Sequence, residues 1–252
     1  MGCRFSLVAA LGWVSAVQAE PLDIYVGQGQ MPFADATVGP TGLFGDLMRE
    51  LCGRIQRQCV FRSVPWRRVL NEANADPHGI VLNLGYTAER EDEFLWLLDV
   101  LPTPYVLASV SRSFDSLADA LNTGPVAVMA GTPRADAINA IRTGAQRVVE
   151  VTDPEQAAQL LQSGRVVAWY EIDLRAIYLW RQLGYQAPLR FGKPISRTRS
   201  HIAGSLKLDN AAALGQQMND AFVDMRRDGS WQRILARYLG AEKSEALLSE
   251  GW

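Results

Sequence analysis

The apolar positions of this chain follow two periods that take turns along its length. The run Leu22-Asp23-Ile24-Tyr25-Val26-Gly27 is apolar and β-branched and reads as a strand. A loop holding Pro32-Phe33 and Gly39-Pro40 follows. Leu43, Phe44, Leu47, Met48, Leu51, Cys52 and Ile55 then recur at helical spacing, which predicts a helix over 42–57. Cys59 opens a second strand over 59–64, and further strands are predicted at 79–85, 106–112, 125–131, 147–151, 166–171 and 202–207. Helical segments lie between most of them, which is the rhythm of an α/β fold.

Local punctuation sharpens parts of this outline. Asp153 as N-cap, Pro154 at the first helical position, the stripe Ala157, Leu160, Leu161 and a terminating Gly164 delimit one helix. Late in the chain, Asp209 is a cap candidate for a helix carrying Leu214, Met218, Phe222 and Met225. Ser230 is one for a helix with Trp231, Ile234, Leu235 and Tyr238 on one face, stopped by Gly240. Residues 241–252 read as a frayed tail.

The first 19 residues stand apart: Arg4, an apolar run over 5–17, then Val17-Gln18-Ala19. This is the pattern of a secretory signal cleaved before Glu20, and the run is shorter than the roughly 20 residues of a membrane span. Across the whole chain 25 Lys+Arg face 27 Asp+Glu in 252 residues, with 48% hydrophobic residues and two His. Globular composition of this kind excludes disorder, and the lack of a basic excess argues against nucleic acid as a partner.

An exported chain changes the meaning of its cysteines. The mature part keeps Cys52 and Cys59, an even pair in an oxidising compartment, where a helix turning directly into a strand brings the two sulfurs together. The alternative is two separately buried thiols. Two Cys without a nearby His or further Cys do not complete a zinc site. Gly27-Gln28-Gly29 is too short for a nucleotide loop, and His78 and His201 have no catalytic context, so no cofactor is expected.

With the elements in place, six segments in order resemble the bacterial periplasmic solute-binding proteins of family 3, the polar amino-acid type. They are Pro32-Phe33 with Gly42-Leu43-Phe44-Gly45-Asp46-Leu47, the pair Cys52 and Cys59, Thr87-Ala88-Glu89-Arg90, Gly131-Thr132, Gly164-Arg165-Val166-x-Ala168, and Arg227-Asp228-Gly229-Ser230 with Ile234 and Tyr238. The resemblance implies an α/β, two-lobed periplasmic-binding-protein fold of type II, with a ligand cleft between lobes joined by two crossing strands. Lobe one would be residues 20–106 plus 198–252, and lobe two residues 107–197. It also implies a monomer that captures a small carboxylate, a polar amino acid or relative, by hinge closure and delivers it to an inner-membrane ABC permease in the periplasm. A ligand sensor for a membrane receptor would use the same binding. The fold also hosts cyclohexadienyl and arogenate dehydratases, where Glu171 would be the acid candidate; without a recognisable acid-base set the expected role is non-catalytic.

The resemblance places Arg90 as a bidentate carboxylate anchor. Taken alone, Arg90 in Glu89-Arg90-Glu91-Asp92-Glu93 would read as part of a solvated charged face. Thr87, Asn83 and Gly85 fall beside it, Trp66 where an aromatic wall is expected, and Gly131-Thr132 at a helix start that favours an anion. Three positions depart from the pattern. Gln30 stands where relatives carry an aromatic residue, Val167 replaces an Asp, and the Asp that would hold a ligand ammonium falls at Ile172, leaving Glu171 and Asp173 on either side as substitutes. Export is directly testable: the secreted protein should begin at Glu20 by intact-mass measurement, and a retained Arg4 peptide would refute cleavage.

Overall fold

The computed structural model describes residues 20–249, so the expected signal segment lies outside the described residues. Two five-stranded sheets carry the architecture. The first is built from β1 (Leu22–Gly27), β2 (Cys59–Val64), β3 (Gly79–Gly85), β4 (Leu95–Pro102) and β10 (Arg199–Gly204), in the order β2-β1-β3-β10-β4. The second holds β5 (Tyr105–Ser109), β6 (Val126–Met129), β7 (Val148–Val151), β8 (Ala168–Ile172) and β9 (Arg190–Phe191), in the order β7-β6-β8-β5-β9. In each sheet three strands run parallel, and the strand that follows a crossing, β10 or β5, is inserted antiparallel beside them.

Helices cover the sheet faces, so the inner strands are buried on both sides and read as continuous apolar runs. Every residue of β6 and β8 is buried. On one face of the first sheet α1 (Leu43–Arg54), α7 (Ala211–Arg227) and α8 (Ser230–Leu239) contribute Phe44, Leu47, Met218 and Trp231 to the largest apolar cluster. The opposite face carries α2 (Trp66–Ala75), whose Val69 and Ala73 share an apolar cluster with Tyr25 and Val81 of the sheet. The second sheet is flanked by α3 (Leu117–Thr123), α4 (Pro133–Ile141), α5 (Pro154–Gln162) and α6 (Asp173–Gln182), with Trp169, Leu161 and Trp180 packed together.

The Pro32-Phe33 loop has a structural task. Leu43 and Phe44 donate their N–H groups to the carbonyls of Pro32 and Phe33 (2.8 and 2.7 Å), satisfying donors that a helix start leaves without partners. Gly42 is required there, since a Cβ would lie 2.7 Å from the Phe33 carbonyl oxygen and φ is +91°. Asp46 then ties α1 to α8, accepting from Arg237 (2.5 Å) and the Tyr238 hydroxyl (2.9 Å).

The chain passes from the first sheet to the second between Pro102 and Tyr105 and returns between Phe191 and Arg199. The two crossings lie side by side: Thr103 N–H donates to Thr198 O and Tyr105 N–H to Ser196 O, both at 2.9 Å. The Thr103 and Ser200 hydroxyls meet at 3.0 Å in the buried centre.

Several expectations need correction. Residues 241–249 are a helix, α9 (Ala241–Ser249), and not a frayed tail, because Leu247 is buried in the main core and Lys243 reaches Asp173 at 3.3 Å. Asp209 does not cap α7; Asn210 takes that position in a left-handed conformation. Ser230 is the first residue of α8 rather than its cap, and the preceding turn is closed by Asp228, which accepts the Ser230 N–H at 2.8 Å. Strand β4 was not anticipated, and the predicted 202–207 strand begins earlier, at Arg199.

Cys52 and Cys59 are bridged, at a sequence separation of 7. Closing so short a loop stabilises by about 2–3 kcal/mol in the chain-entropy picture. The double variant Cys52→Ala, Cys59→Ala should lose about that much unfolding free energy in urea titrations, and an unchanged midpoint would contradict it.

Candidate functional site

The ends of parallel strands converge where the two sheets face each other. Gln30 follows β1, Asn83 and Gly85 end β3, Thr132 to Arg134 follow β6, and Ile172 and Arg175 stand where β8 passes into α6. Outside the carboxyl ends of strands is where open α/β sheets take their ligands. Here these residues, with Trp66, Arg90, Thr103, Tyr105 and Ser200, enclose a cavity of about 40 Å³. A wider chamber of about 420 Å³ continues past Gln30 and Trp66, walled by Pro65, Met129, Ala130 and Pro154.

The electrostatics of the cavity are dominated by a buried triad. Glu171, in β8, is completely inaccessible, and Arg134 and Arg175 are 4% and 2% exposed. Arg134 Nη2 lies 2.9 Å from Glu171 Oε1, which also accepts the Ile172 N–H at 2.8 Å; Arg175 Nη1 lies 3.6 Å from Oε2. Arg175 donates to Gln30 Oε1 at 2.9 Å and to the Met129 thioether at 3.7 Å, a weak acceptor. The two guanidiniums lie over Tyr105 (4.8 Å) and Phe33 (5.1 Å). Burial pulls the Arg175 pKa below the usual guanidinium range, with Glu171 opposing. Both Nε atoms are buried without a hydrogen-bond partner. Burial also pushes the Tyr170 phenol up to about 12, so it stays neutral in β8.

Several of the expected residues come together. Arg90, Asn83, Gly85, Trp66 and Thr132 all line the cavity. Arg90 sits on a single 3₁₀ turn (Ala88–Arg90) after β3, and its Nη1 donates to Gly85 O at 3.4 Å. Asn83 holds φ at +57°, unusual for a residue in a strand, and its buried Oδ1 has no hydrogen-bond partner. Trp66 lies against Gly27, where any Cβ would come within 2.7 Å of the indole.

The four other expected residues play different parts, and Thr132 has a second one. Gly131 and Thr87 are not in the wall: Gly131 supplies a turn with φ +68°, and Thr87 O accepts the Arg90 N–H at 3.0 Å. Thr132 caps α4, its hydroxyl donating to Met129 O (2.7 Å) and accepting from Ala135 N–H (3.3 Å). Glu171 lies behind the wall, engaged by the two arginines. Asp173, an expected ligand contact, faces Lys243 of α9 instead, because β8 ends at Ile172 and the helix that starts at Asp173 breaks strand alternation.

Sequence reading missed Arg134, Arg175, Thr103, Tyr105 and Ser200. Two of these carried a signal. Arg134 and Arg175 fall in the first turns of α4 and α6, where a cation opposes the helix dipole and so needs another reason to be there.

The profile of the family described as bacterial extracellular solute-binding proteins, family 3, matches residues 22–241. The chain belongs to this family. The family-3 protein is 24% identical over 203 residues to the histidine-binding periplasmic protein of Escherichia coli, covering 77% of this chain and 76% of the relative. Its fold matches a histidine kinase sensor domain with similarity to periplasmic binding proteins at TM-score 0.74, with 16% identity and 88% and 97% of the two chains covered. An ancestral arginine-binding protein bound to glutamine matches at 0.68, with 19% identity and 87% and 98% covered. No helix among the described residues is long and apolar enough to cross a membrane.

The triad predicts a specific fragility in this solute-binding protein. Glu171→Gln removes the carboxylate between two buried guanidiniums, and breaking a buried pair typically costs about 3–5 kcal/mol. Urea unfolding should show a loss of that order, and parent-like stability would mean that the triad is not held as described.

Proposed function

We propose that this protein captures a small carboxylate between its two sheets by hinge closure and presents it to an inner-membrane ABC permease, acting as a monomeric, non-catalytic periplasmic receptor. The observation that carries this reading is one cavity with Arg90 contributed by the first sheet and Arg134 and Arg175 by the second. An anion between them ties the two sheets together, which is how a ligand favours a closed form. The lobe division proposed with it is 20–106 plus 198–252 against 107–197, with bending at the paired crossings around Thr103 and Thr198. The names of the relatives support the periplasmic, transport-linked role: they include a histidine-binding periplasmic protein and a binding protein of an amino acid ABC transporter. The non-catalytic role is supported by Glu171, the acid candidate, whose Oε1 is taken up by Arg134 and the Ile172 N–H.

Arg90 is the proposed anchor from the first sheet. After a thermal-shift screen of amino acids, opines, polyamines and small organic acids has found a binder, Arg90→Ala should weaken it by about 2–5 kcal/mol, roughly 30- to several-thousand-fold. The control is Arg68→Ala, an exposed residue paired with Glu72 at 2.5 Å. Calorimetry showing equal affinity for the Arg90 variant and the parent would place the site elsewhere.

A further inference from the structure

The cavity wall has a lopsided charge. Three arginines line it, Arg90, Arg134 and Arg175, and no Asp or Glu is among the lining residues. Glu171 behind them offsets one positive charge of the three. Among the described residues Arg90 has no ion pair. Arg134 and Arg175 stand in the first turns of α4 and α6, where the helix dipole adds to their positive potential. The side-chain acceptors available are neutral: Gln30, Asn83 and hydroxyls. Ile172 contributes an apolar surface beside Arg134 and Arg175.

Such a wall presents guanidinium donors at two places, and none of its lining residues carries a negative charge. An ammonium group brought here would be desolvated next to guanidiniums with no carboxylate in the wall to receive it, since Glu171 Oε2, although without a hydrogen-bond partner, lies behind Arg175 at 3.6 Å. The Nε atoms of Arg134 and Arg175, both buried and unpartnered, mark donors for which the chain itself supplies no acceptor. At Arg175 a neutral amide oxygen, Gln30 Oε1, occupies the acceptor position at 2.9 Å. A carboxylate in its place would make a stronger, charge-assisted bond. Gln30 borders both the small cavity and the wider chamber, so its withdrawal would join the two spaces.

We propose that the cleft selects a short dicarboxylate that carries no ammonium group, one carboxylate held by Arg90 and the other by Arg134 and Arg175 after Gln30 is displaced. This rests on the cleft being the ligand site, and it narrows the ligand from small carboxylates in general to doubly anionic, amine-free ones.

The test is calorimetric titration of the purified protein with succinate, glutarate, glutamate, glutamine, histidine, arginine, butyrate, sulfate and phosphate. Succinate or glutarate should bind at least about 30-fold tighter than glutamate or any other member of the panel. Arg134→Gln should bring the dicarboxylate down to the affinity of butyrate, and Ile172→Asp should shift the preference from glutarate toward glutamate. Should a variant fail to fold, the panel on the parent protein still decides. Tightest binding of glutamate, glutamine, histidine or arginine would overturn the dicarboxylate inference while leaving carboxylate capture intact. Tightest binding of sulfate or phosphate would overturn it in favour of a tetrahedral oxyanion. If no member binds at millimolar concentration, both the inference and the capture of small carboxylates at this cleft fail.

Discussion

Two guanidiniums are buried against one carboxylate at the seam between the sheets, and most of what is distinctive in this molecule follows from that imbalance. Burying ions is costly even when they are matched, and here the match is incomplete. Arg134 and Arg175 also sit at helix starts, where the backbone dipole opposes them. The surroundings reduce the cost: Glu171 Oε1 faces Arg134, aromatic rings lie against both guanidiniums, and Gln30 and Met129 accept from Arg175. What is left is a surplus of positive charge in a small cavity that shares Gln30 and Trp66 with the wider chamber. Local rules broken without internal compensation are expected where a chain does its work.

The architecture explains why the surplus lies there. Both sheets repeat one plan, three parallel strands with an antiparallel strand arriving from the other sheet, so the carboxyl ends of both parallel sets face one seam. The same plan places the crossings at its edge. Pro102 and Pro104 flank Thr103, fixing φ on either side of the first crossing, and the hydrogen bonds to Thr198 and Ser196 join the two crossings into one short ribbon. Away from the ribbon, α6 is gripped by elements of the first sheet's layer: Arg181 donates to Leu239 O at 3.2 Å and Asp173 meets Lys243. The charged seam and these surface ties both hold the second sheet's layer to the first.

The outline of the fold was legible because it depends on side-chain period and on glycine and proline placement. The helix Asp153 caps and the strands 22–27, 59–64 and 79–85 come from patterns that tertiary packing reinforces. α9 was missed because a single buried leucine and an ion pair, both long-range, decide it. At the site, Arg90, Asn83 and Trp66 were found through the family's motif order, while Arg134 and Arg175, each only two residues beyond a residue singled out there (Thr132 and Asp173), match no position of those motifs. Glu171 and Asp173 looked interchangeable, and the choice between them was made by the residue at which a strand becomes a helix. That boundary is the least certain feature of any sequence reading.

On the proposed reading, charge also sets the terms on which the cleft closes. A ligand shifts an open–closed equilibrium only by the difference in its affinity for the two forms. In the structure Arg175 is desolvated and its acceptors are a neutral amide, a thioether and a distant carboxylate oxygen, so the chain's own groups leave part of that cost standing. An anion that reaches Arg175 and Arg134 from one side and Arg90 from the other gains most where all three are near one another, which is the closed arrangement alone. A neutral ligand of the same size gains little from the approach of the arginines. On the proposed reading, then, recognition and closure draw on the same imbalance of charge.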